Sequence, residues 1–270
     1  MATQAGQGVV AAFGKTLKTL RTRAGLDREE LGGQLGYSSS TIASFEQGRR
    51  IPSPRAVEQA DEVLHADGLL TVWKGQLEKA QYPAGFPGLM ELEKTAIELL
   101  HYDKFVVSGL LQTEAYMRAL FAMRRPLVDR DLVERRVRTR LTRQNDVFGR
   151  RPEPLTSFVM DEAVLRHRYG GKEVLREQLE YLLMIGRHPH IDLQVMPLEC
   201  EDNAGMSGPF TIATRKDGKQ FLYYEGAHQM TLETEAEKTT VAAVRFGVVR
   251  SQALTPRESM VLIEKLRGEL

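Results

Sequence analysis

Apolar side chains recur at helical spacing through the first eighty residues, between residues that favour helix ends. Phe13, Leu17 and Leu20 fall at i, i+4 and i+7, which predicts an amphipathic first helix ending near Arg23. Gly25 follows in the position where a helix commonly ends with a left-handed residue. The pattern therefore indicates a helix that packs by one face.

The next residues carry the start and stop signals of two more helices. Asp27 stands three residues before Glu30, an Asp variant of the capping box, which predicts a second helix from about Arg28. Gly36 is expected to form the tight turn that follows it. Ser38 then caps a third helix.

In the third helix Ile42 and Phe45 form the i, i+3 pair that must point inward. The open side near its N-terminus carries hydroxyl side chains, at the positions that a recognition helix presents to base edges. These are Ser39, Ser40, Thr41 and Ser44. Two cations, Arg49 and Arg50, follow the helix. We assign all six residues to a candidate DNA-binding surface.

Two further helices and a break complete the first part of the chain. Ser53 and Pro54 predict the N-cap and first residue of a fourth helix, and residues 68–80 predict a fifth. Residues 82–88 contain two prolines and two glycines, which mark a domain boundary. The expected organisation is a five-helix DNA-binding domain at 9–80, a linker at 81–88 and a second domain at 89–270.

Beyond the boundary, helical and strand patterns follow one another in mixed order. Helices are predicted at 89–100, 114–123, 129–148, 162–167, 172–186, 234–250 and 256–267. Strands are predicted at 105–107, 155–160, 191–196, 210–214 and 221–224. This order predicts an α+β regulatory and dimerisation domain with a small sheet, in a chain that is mainly α-helical. No 34-residue repeat of a helical-repeat receptor appears.

Composition narrows the class of protein. The chain has 270 residues, of which 42% are hydrophobic and 27% charged, as in globular proteins with two domains. No apolar run is long enough to span a membrane, and no signal peptide is recognised, so we expect a cytoplasmic, nucleoid-associated protein. Cys200 is the single cysteine, which excludes an intrachain disulfide and a CxxC zinc site. We expect neither a cofactor nor a metal.

The net charge of +1 conceals two basic segments. The first lies in the first helix, which carries Lys15, Lys18, Arg21 and Arg23 and suits phosphates. The second, residues 124–151, has ten arginines against four acids. Its arginines either form a solvated face and pair with local acids, or meet DNA backbone or an acidic partner. We favour internal pairing or a partner, because a helix-turn-helix needs no second DNA footprint.

Candidate catalytic and metal-binding groups in the second domain have simpler structural interpretations. Asp161 and Glu162 could act as acid and base, but after a strand they are typical of a helix N-cap and its first turn. His188 and His190 lack the spacing of a metal site. The glycine-bearing loop 203–209 has no phosphate-loop spacing and is predicted to be a turn before a strand.

The run GLDREELGGQLGYSSSTIASFEQGRRIPSP, residues 25–54, resembles the phage-repressor or XRE-type helix-turn-helix family. The resemblance implies that Arg28 and Arg49 contact phosphate and that Ser39, Ser40 and Ser44 face the major groove. It also implies a partly buried salt bridge between Arg21 and Glu46. Gly32 and Gly33 depart from the family, which usually has helix formers there. Each glycine is expected to cost about 0.5–1 kcal/mol relative to alanine.

The second domain also carries a resemblance, spread over residues 88–265. VVSGLLQTEAYMRAL, RTRLTRQ, FVMDEAVLR, IDLQVMPL, GPFTIA and LYYEG resemble actinobacterial regulators of the WhiJ-like, or Scr1-antitoxin-like, group. The resemblance implies a small partner protein encoded nearby and a link to toxin-antitoxin systems or developmental control. Ser108 departs from the proline usual in the family, and no catalytic residue is carried over.

These observations favour a dimeric transcriptional repressor that binds a double-stranded DNA operator. One short recognition helix covers about half a turn of DNA, so a homodimer is expected to place two of them about 34 Å apart. A small partner protein or a ligand would act through the second domain. An antitoxin that neutralises a cognate protein remains an alternative. An enzyme fused to a DNA-binding head is disfavoured, because no GxSxG or comparable motif is found.

Overall fold

The structure is a computed structural model that describes residues 4–80, 86–124, 129–225 and 230–270. The chain forms two compact units, whose main segments are residues 4–80 and residues 88–225 with 231–270. Most of the predicted linker, residues 81–85, lies outside the described residues. Its last three positions, 86–88, lie in the helix Phe86–Thr95. Each unit is described by itself.

Over its described residues, the first unit contains five α-helices, and their boundaries follow local capping signals. They are α1 (Gln4–Arg23), α2 (Arg28–Leu35), α3 (Ser39–Glu46), α4 (Pro54–Val63) and α5 (Lys74–Ala80). The predicted capping box at Asp27 is confirmed, as are the N-caps at Ser38 and Ser53. Gly25 and Gly36 have φ of 74° and 73°, the left-handed conformation expected of them.

Helix α1 packs on α3 almost backbone to backbone, and two glycines permit this approach. A Cβ added to Gly14 would lie 2.5 Å from the carbonyl oxygen of Glu46. One added to Gly48, which has φ of 67°, would lie 2.9 Å from the Cα of Ala11. Phe13 and Ile42 are buried in the core that results. Helical periodicity alone does not predict this role for Gly14.

Two helix starts in this unit were predicted wrongly. Helix α1 begins at Gln4, nine residues before Phe13, where the predicted helix starts, and its Val10 joins the buried core. The fifth helix begins at Lys74 rather than at Gly68 and is preceded by a 3₁₀ turn at Thr71–Trp73. The Asp61 carboxylate accepts hydrogen bonds from the backbone N–H groups of residues 68, 70 and 71, at 2.8, 2.7 and 3.1 Å. This side chain therefore holds residues 68–71 out of the helix.

The second unit is built on one mixed six-stranded sheet. Its strands are β1 (Ala96–Asp103), β2 (Leu155–Asp161), β3 (Ile191–Met196), β4 (Phe210–Arg215), β5 (Gln220–Glu225) and β6 (Met230–Glu233). Their order across the sheet is β3-β2-β1-β4-β5-β6. Strands β1, β2 and β3 are parallel, whereas β4 is antiparallel to both β1 and β5. The predicted α+β class is confirmed.

Helices cover both faces of this sheet. They are α6 (Phe86–Thr95), α7 (Glu114–Ala122), α8 (Arg130–Phe148), α9 (Glu162–Arg166), α10 (Lys172–Ile185), α11 (Ala236–Gln252) and α12 (Pro256–Gly268). On one face, Leu99 and Phe158 belong to a core that includes residues of α10 and α12. On the other, Tyr102 and Val159 pack with α11. The loop 203–209 is a turn before β4, as predicted.

The largest errors of prediction concern β1 and its surroundings. Residues 96–100 were assigned to a helix, whereas α6 ends at Thr95 and these residues begin β1. The strand predicted at 105–107 is not a strand, and β6 was not predicted. Strand β1 lies between β2 and β4 and buries Leu99 and Tyr102 on opposite faces. A strand buried on both faces lacks the alternation that distinguishes strands from helices.

Candidate nucleic-acid interface

Helix α3 separates its apolar and polar residues onto two sides. Ile42 and Phe45 are buried in the core of the first unit, as predicted. Ser39 and Ser40 are exposed, and Thr41 and Ser44 are half-buried. The four hydroxyl residues assigned to DNA binding thus lie on one short helix whose opposite side anchors it to the core.

The hydroxyl groups of Ser40, Thr41 and Ser44 on α3 are already hydrogen-bonded in the protein alone. Ser38 Oγ accepts from the N–H of Thr41 at 3.3 Å and lies 2.9 Å from Ser40 Oγ. Ser44 Oγ donates to the carbonyl oxygen of Ser40 at 2.9 Å. A base contact in which Ser44 donates must therefore replace an existing bond, whereas the oxygens of Ser40 and Ser44 can still accept one. The net gain from a donated contact is correspondingly small.

Glu46 at the end of α3 lies between two arginines from other helices. Its side chain is 1% exposed, and its two oxygens lie 2.5 Å from Arg21 Nε and 2.7 Å from Arg28 Nε. Arg21 is 11% exposed and also donates to the carbonyl oxygen of Leu26 at 2.6 Å. Burial alone would raise the pKa of Glu46, but the bonds and charges of both arginines outweigh it and lower the pKa. This cluster ties α1 and α2 to α3.

Arg28 therefore has a structural partner that the sequence analysis did not foresee, since it was assigned only to phosphate. Its side chain remains 38% exposed, so part of the guanidinium faces solvent. The sequence contained a signal for this contact with Glu46, because Arg28 is the first residue of a helix that must pack against α3. Arg28 therefore helps to hold α2 on α3.

Two further cations lie just beyond α3. Arg49 is exposed and donates to the Gln47 side-chain oxygen. The guanidinium of Arg50 stacks over the Phe45 ring, 5.8 Å from its centroid, which limits where it points. Helix α1 adds the exposed side chains of Lys15, Lys18 and Arg23. The first unit thus presents hydroxyl groups beside cations, the combination that base edges and phosphates require.

The acid–base candidates of the second unit have structural roles. The Asp161 side chain accepts from the N–H of Ala163 at 3.0 Å and so caps α9. Glu162 accepts from Arg166 at 2.5 Å and from the N–H of Leu198 at 3.1 Å. Across residues 4–80, 86–124, 129–225 and 230–270, no group of three or more potential ligands is placed to hold a metal ion.

The arginine-rich helix α8 directs its key cation inward. Arg143 and Glu93 are both buried and form a bidentate pair, with N–O distances of 2.5 and 2.6 Å. Arg140 stacks over the Phe121 ring at 4.9 Å. This supports the internal-pairing interpretation for these two arginines. Arg125 of the same segment lies outside the described residues.

Beside this pair, β1 carries two buried titratable groups. His101 Nδ1 lies 3.0 Å from Thr211 Oγ1, and its ring stacks on Phe158 at 4.7 Å. Burial, together with the charge of Arg143, lowers the pKa of His101 to about 3. Burial raises the pKa of Asp103 to about 8, although Arg143 opposes the shift. At neutral pH both groups are therefore uncharged.

These shifts predict how stability depends on pH. Folded Asp103 keeps a proton that the unfolded chain loses above its ordinary pKa of 3.8, so its contribution disappears as pH rises toward about 8. His101 has the opposite effect on stability, but only below its ordinary pKa of 6.5. We expect the free energy of unfolding to fall from pH 6.5 to 8, and Asp103→Asn to remove that slope. Urea unfolding followed by circular dichroism measures it, and an unchanged slope in the variant contradicts the assignment.

The fold and surface of the first unit define a helix-turn-helix DNA-binding protein, because residues 12–72 match the family model described as a helix-turn-helix domain. This domain indicates a regulator rather than an enzyme.

Residues 86–265 match the family described as Domain of unknown function (DUF5753), and this match covers more than half of the chain. The protein belongs to this family. No curated protein and no solved structure gives a significant match. None of the described helices is long and apolar enough to cross a membrane.

Proposed function

We propose that this protein is a dimeric, sequence-specific transcriptional repressor of the WhiJ-like group that acts in the cytoplasm. The observation that carries the proposal is α3, an N-capped helix with Ile42 and Phe45 in the core and hydroxyl groups outward. In this proposal Ser39, Ser40, Thr41 and Ser44 meet base edges in the major groove.

The phosphate contacts are assigned to the cations around α3. Arg49 is the principal one because it is exposed, and Arg28 and Arg50 add to it within the limits set by Glu46 and Phe45. Phosphate contacts fix position, whereas hydroxyl contacts to bases carry modest discrimination, so DNA shape supplies part of the specificity. The second unit would dimerise the chain and accept a small partner protein or a ligand.

The test separates base contacts from phosphate contacts. An operator is first selected from random duplex DNA by the full chain, and binding is then titrated at several salt concentrations. Ser40→Ala with Ser44→Ala is expected to reduce discrimination between operator and random DNA while leaving non-specific affinity unchanged. Arg49→Ala is expected to weaken binding to both and to reduce the salt slope by about one.

Matched controls lie in the second unit. Thr95 is an exposed helical hydroxyl bonded to the carbonyl of Glu91, as Ser44 is to that of Ser40, and Arg257 is an exposed helical arginine. Thr95→Ala and Arg257→Ala should leave DNA binding unchanged. If the serine variants discriminate as well as the parent, α3 is not the recognition helix. Arg28→Ala is unsuitable here because it also removes a Glu46 contact.

A further inference from the structure

Helix α11 is apolar on two sides. Its inner side buries Ala242, Phe246 and Val249 against the sheet. Its outer side carries Val241, Val244 and Val248, which are 55%, 65% and 42% exposed. Their spacing of i, i+3 and i+7 places the three valines in one stripe along the helix. A helix at the surface of a globular domain normally carries polar residues on that side.

Among the charged residues that flank this valine stripe, some form ion pairs with described residues and others do not. Lys238 pairs with Glu233 and Glu235, and Arg250 pairs with Asp192 at 2.7 Å. In contrast, Glu237 and Arg245 take part in no ion pair with any described residue. Each stands four residues from Val241, on opposite sides of it along the chain.

Glu237 and Arg245 cannot satisfy each other within one chain. Eight residues separate them, which is about 12 Å along a helix, beyond the reach of an ion pair. Two copies of α11 packed antiparallel around Val241 remove this difficulty. The residue four positions before Val241 in one copy then lies opposite the residue four positions after it in the other, so Glu237 meets Arg245 twice.

The charges also select the register of such a pairing. Centring the two helices on Val244 would bring the two copies of Arg245 together and leave Glu237 at the ends without a cation. Centring on Val241 keeps the two arginines about 12 Å apart along the axis. Val241 then meets its own copy, and Val244 packs on the aliphatic stem of Lys238.

From this self-complementarity we infer that the outer face of α11 is the surface on which a second copy of this chain docks. The contact is two-fold symmetric and antiparallel, with valines at its centre and two Glu237–Arg245 ion pairs at its rim. The inference rests on the dimer of the proposed function and names the surface that forms it. It requires no contribution from the DNA-binding surface.

The experiment measures the dimer dissociation constant of the full chain by sedimentation. Val241→Glu is expected to raise it more than about a hundredfold, because it places two carboxylates at the centre of an apolar contact. Val261→Glu is the matched control, since Val261 is 67% exposed on α12, and it should sediment as the parent does. Circular dichroism verifies that both variants are folded.

Charge reversal tests the register. Glu237→Arg and Arg245→Glu should each raise the dissociation constant roughly tenfold or more, and the double reversal should restore it. A dimer that survives Val241→Glu, or a double variant as weak as the singles, overturns this surface while leaving the dimer intact. A monomeric parent chain overturns both the surface and the dimer. DNA titrations with Arg49→Ala judge the DNA-binding proposal independently of either result.

Discussion

Replacing Glu46 with glutamine is expected to lower the free energy of unfolding of the first unit by about 3–5 kcal/mol, as removal of one member of a buried ion pair does. Arg21 would remain nearly buried with its charge uncompensated, and Arg28 would lose the same partner. An amide retains the shape of the carboxylate, so the loss reports charge and hydrogen bonding. Urea unfolding measures it through the fluorescence of Trp73, the single tryptophan, which packs against the core of this unit.

Two controls set the scale for Glu46. Glu58 pairs with Lys74 in the same unit, but Glu58 is exposed and Lys74 only half-buried, so Glu58→Gln should cost less than about 1 kcal/mol. Combining Arg21→Met with Glu46→Met removes the two most buried charges together and should cost less than Glu46→Gln alone. Equal midpoints for Glu46→Gln and Glu58→Gln would show that the cluster contributes no more than a surface pair.

The second large effect is expected at Glu93, whose replacement by glutamine should destabilise the second unit by about 3–5 kcal/mol. Arg143 lies in the interior with Asp103 nearby, and burial holds Asp103 largely protonated, so Asp103 compensates little of the lost charge. Arg143→Lys should be nearly as costly, because lysine cannot form two parallel bonds to one carboxylate. Denaturant unfolding followed by circular dichroism gives the change.

The comparison for Glu93 is an exposed pair in the same unit. Arg118 pairs with Glu114 on α7, and both are exposed, so Glu114→Gln should change stability by less than about 1 kcal/mol. The double replacement Glu93→Leu with Arg143→Met should recover part of the loss from Glu93→Gln, since no buried charge is left unpaired. If the double replacement lowers the free energy of unfolding more than Glu93→Gln does, the pair stabilises the unit by more than its burial costs.

Gly32 and Gly33 in α2 separate what helix propensity predicts from what packing decides. Both Gly32 and Gly33 were expected to cost stability relative to alanine. A Cβ at Gly33 meets nothing within 4 Å, so that expectation stands as a prediction. A Cβ at Gly32 would lie 2.5 Å from the carbonyl oxygen of Tyr37, so alanine there requires the turn to move. The difference depends on how α2 folds back on the turn, which helix propensity does not contain.

The sequence by itself determined the features that depend on residues within a few positions of one another. Each of these features is a bond or a torsion inside one turn, so it could be predicted from the sequence. They are the capping box at Asp27, the caps at Ser38 and Ser53, and the left-handed Gly36. The inward direction of Ile42 and Phe45 followed from helical periodicity. These local features were sufficient to predict helix α3 and the class of the first domain.

Only the tertiary structure decided what depends on distant parts of the chain. Strand β1 is a strand because β2 and β4 supply its hydrogen bonds from more than fifty residues away. The Arg143–Glu93 pair joins two helices fifty positions apart, and Arg28 acquires Glu46 only when α2 packs on α3. Burial and pairing are properties of the packed chain. The desolvation that makes a buried charge costly exists only after folding, and folding also decides which apolar stripe stays exposed.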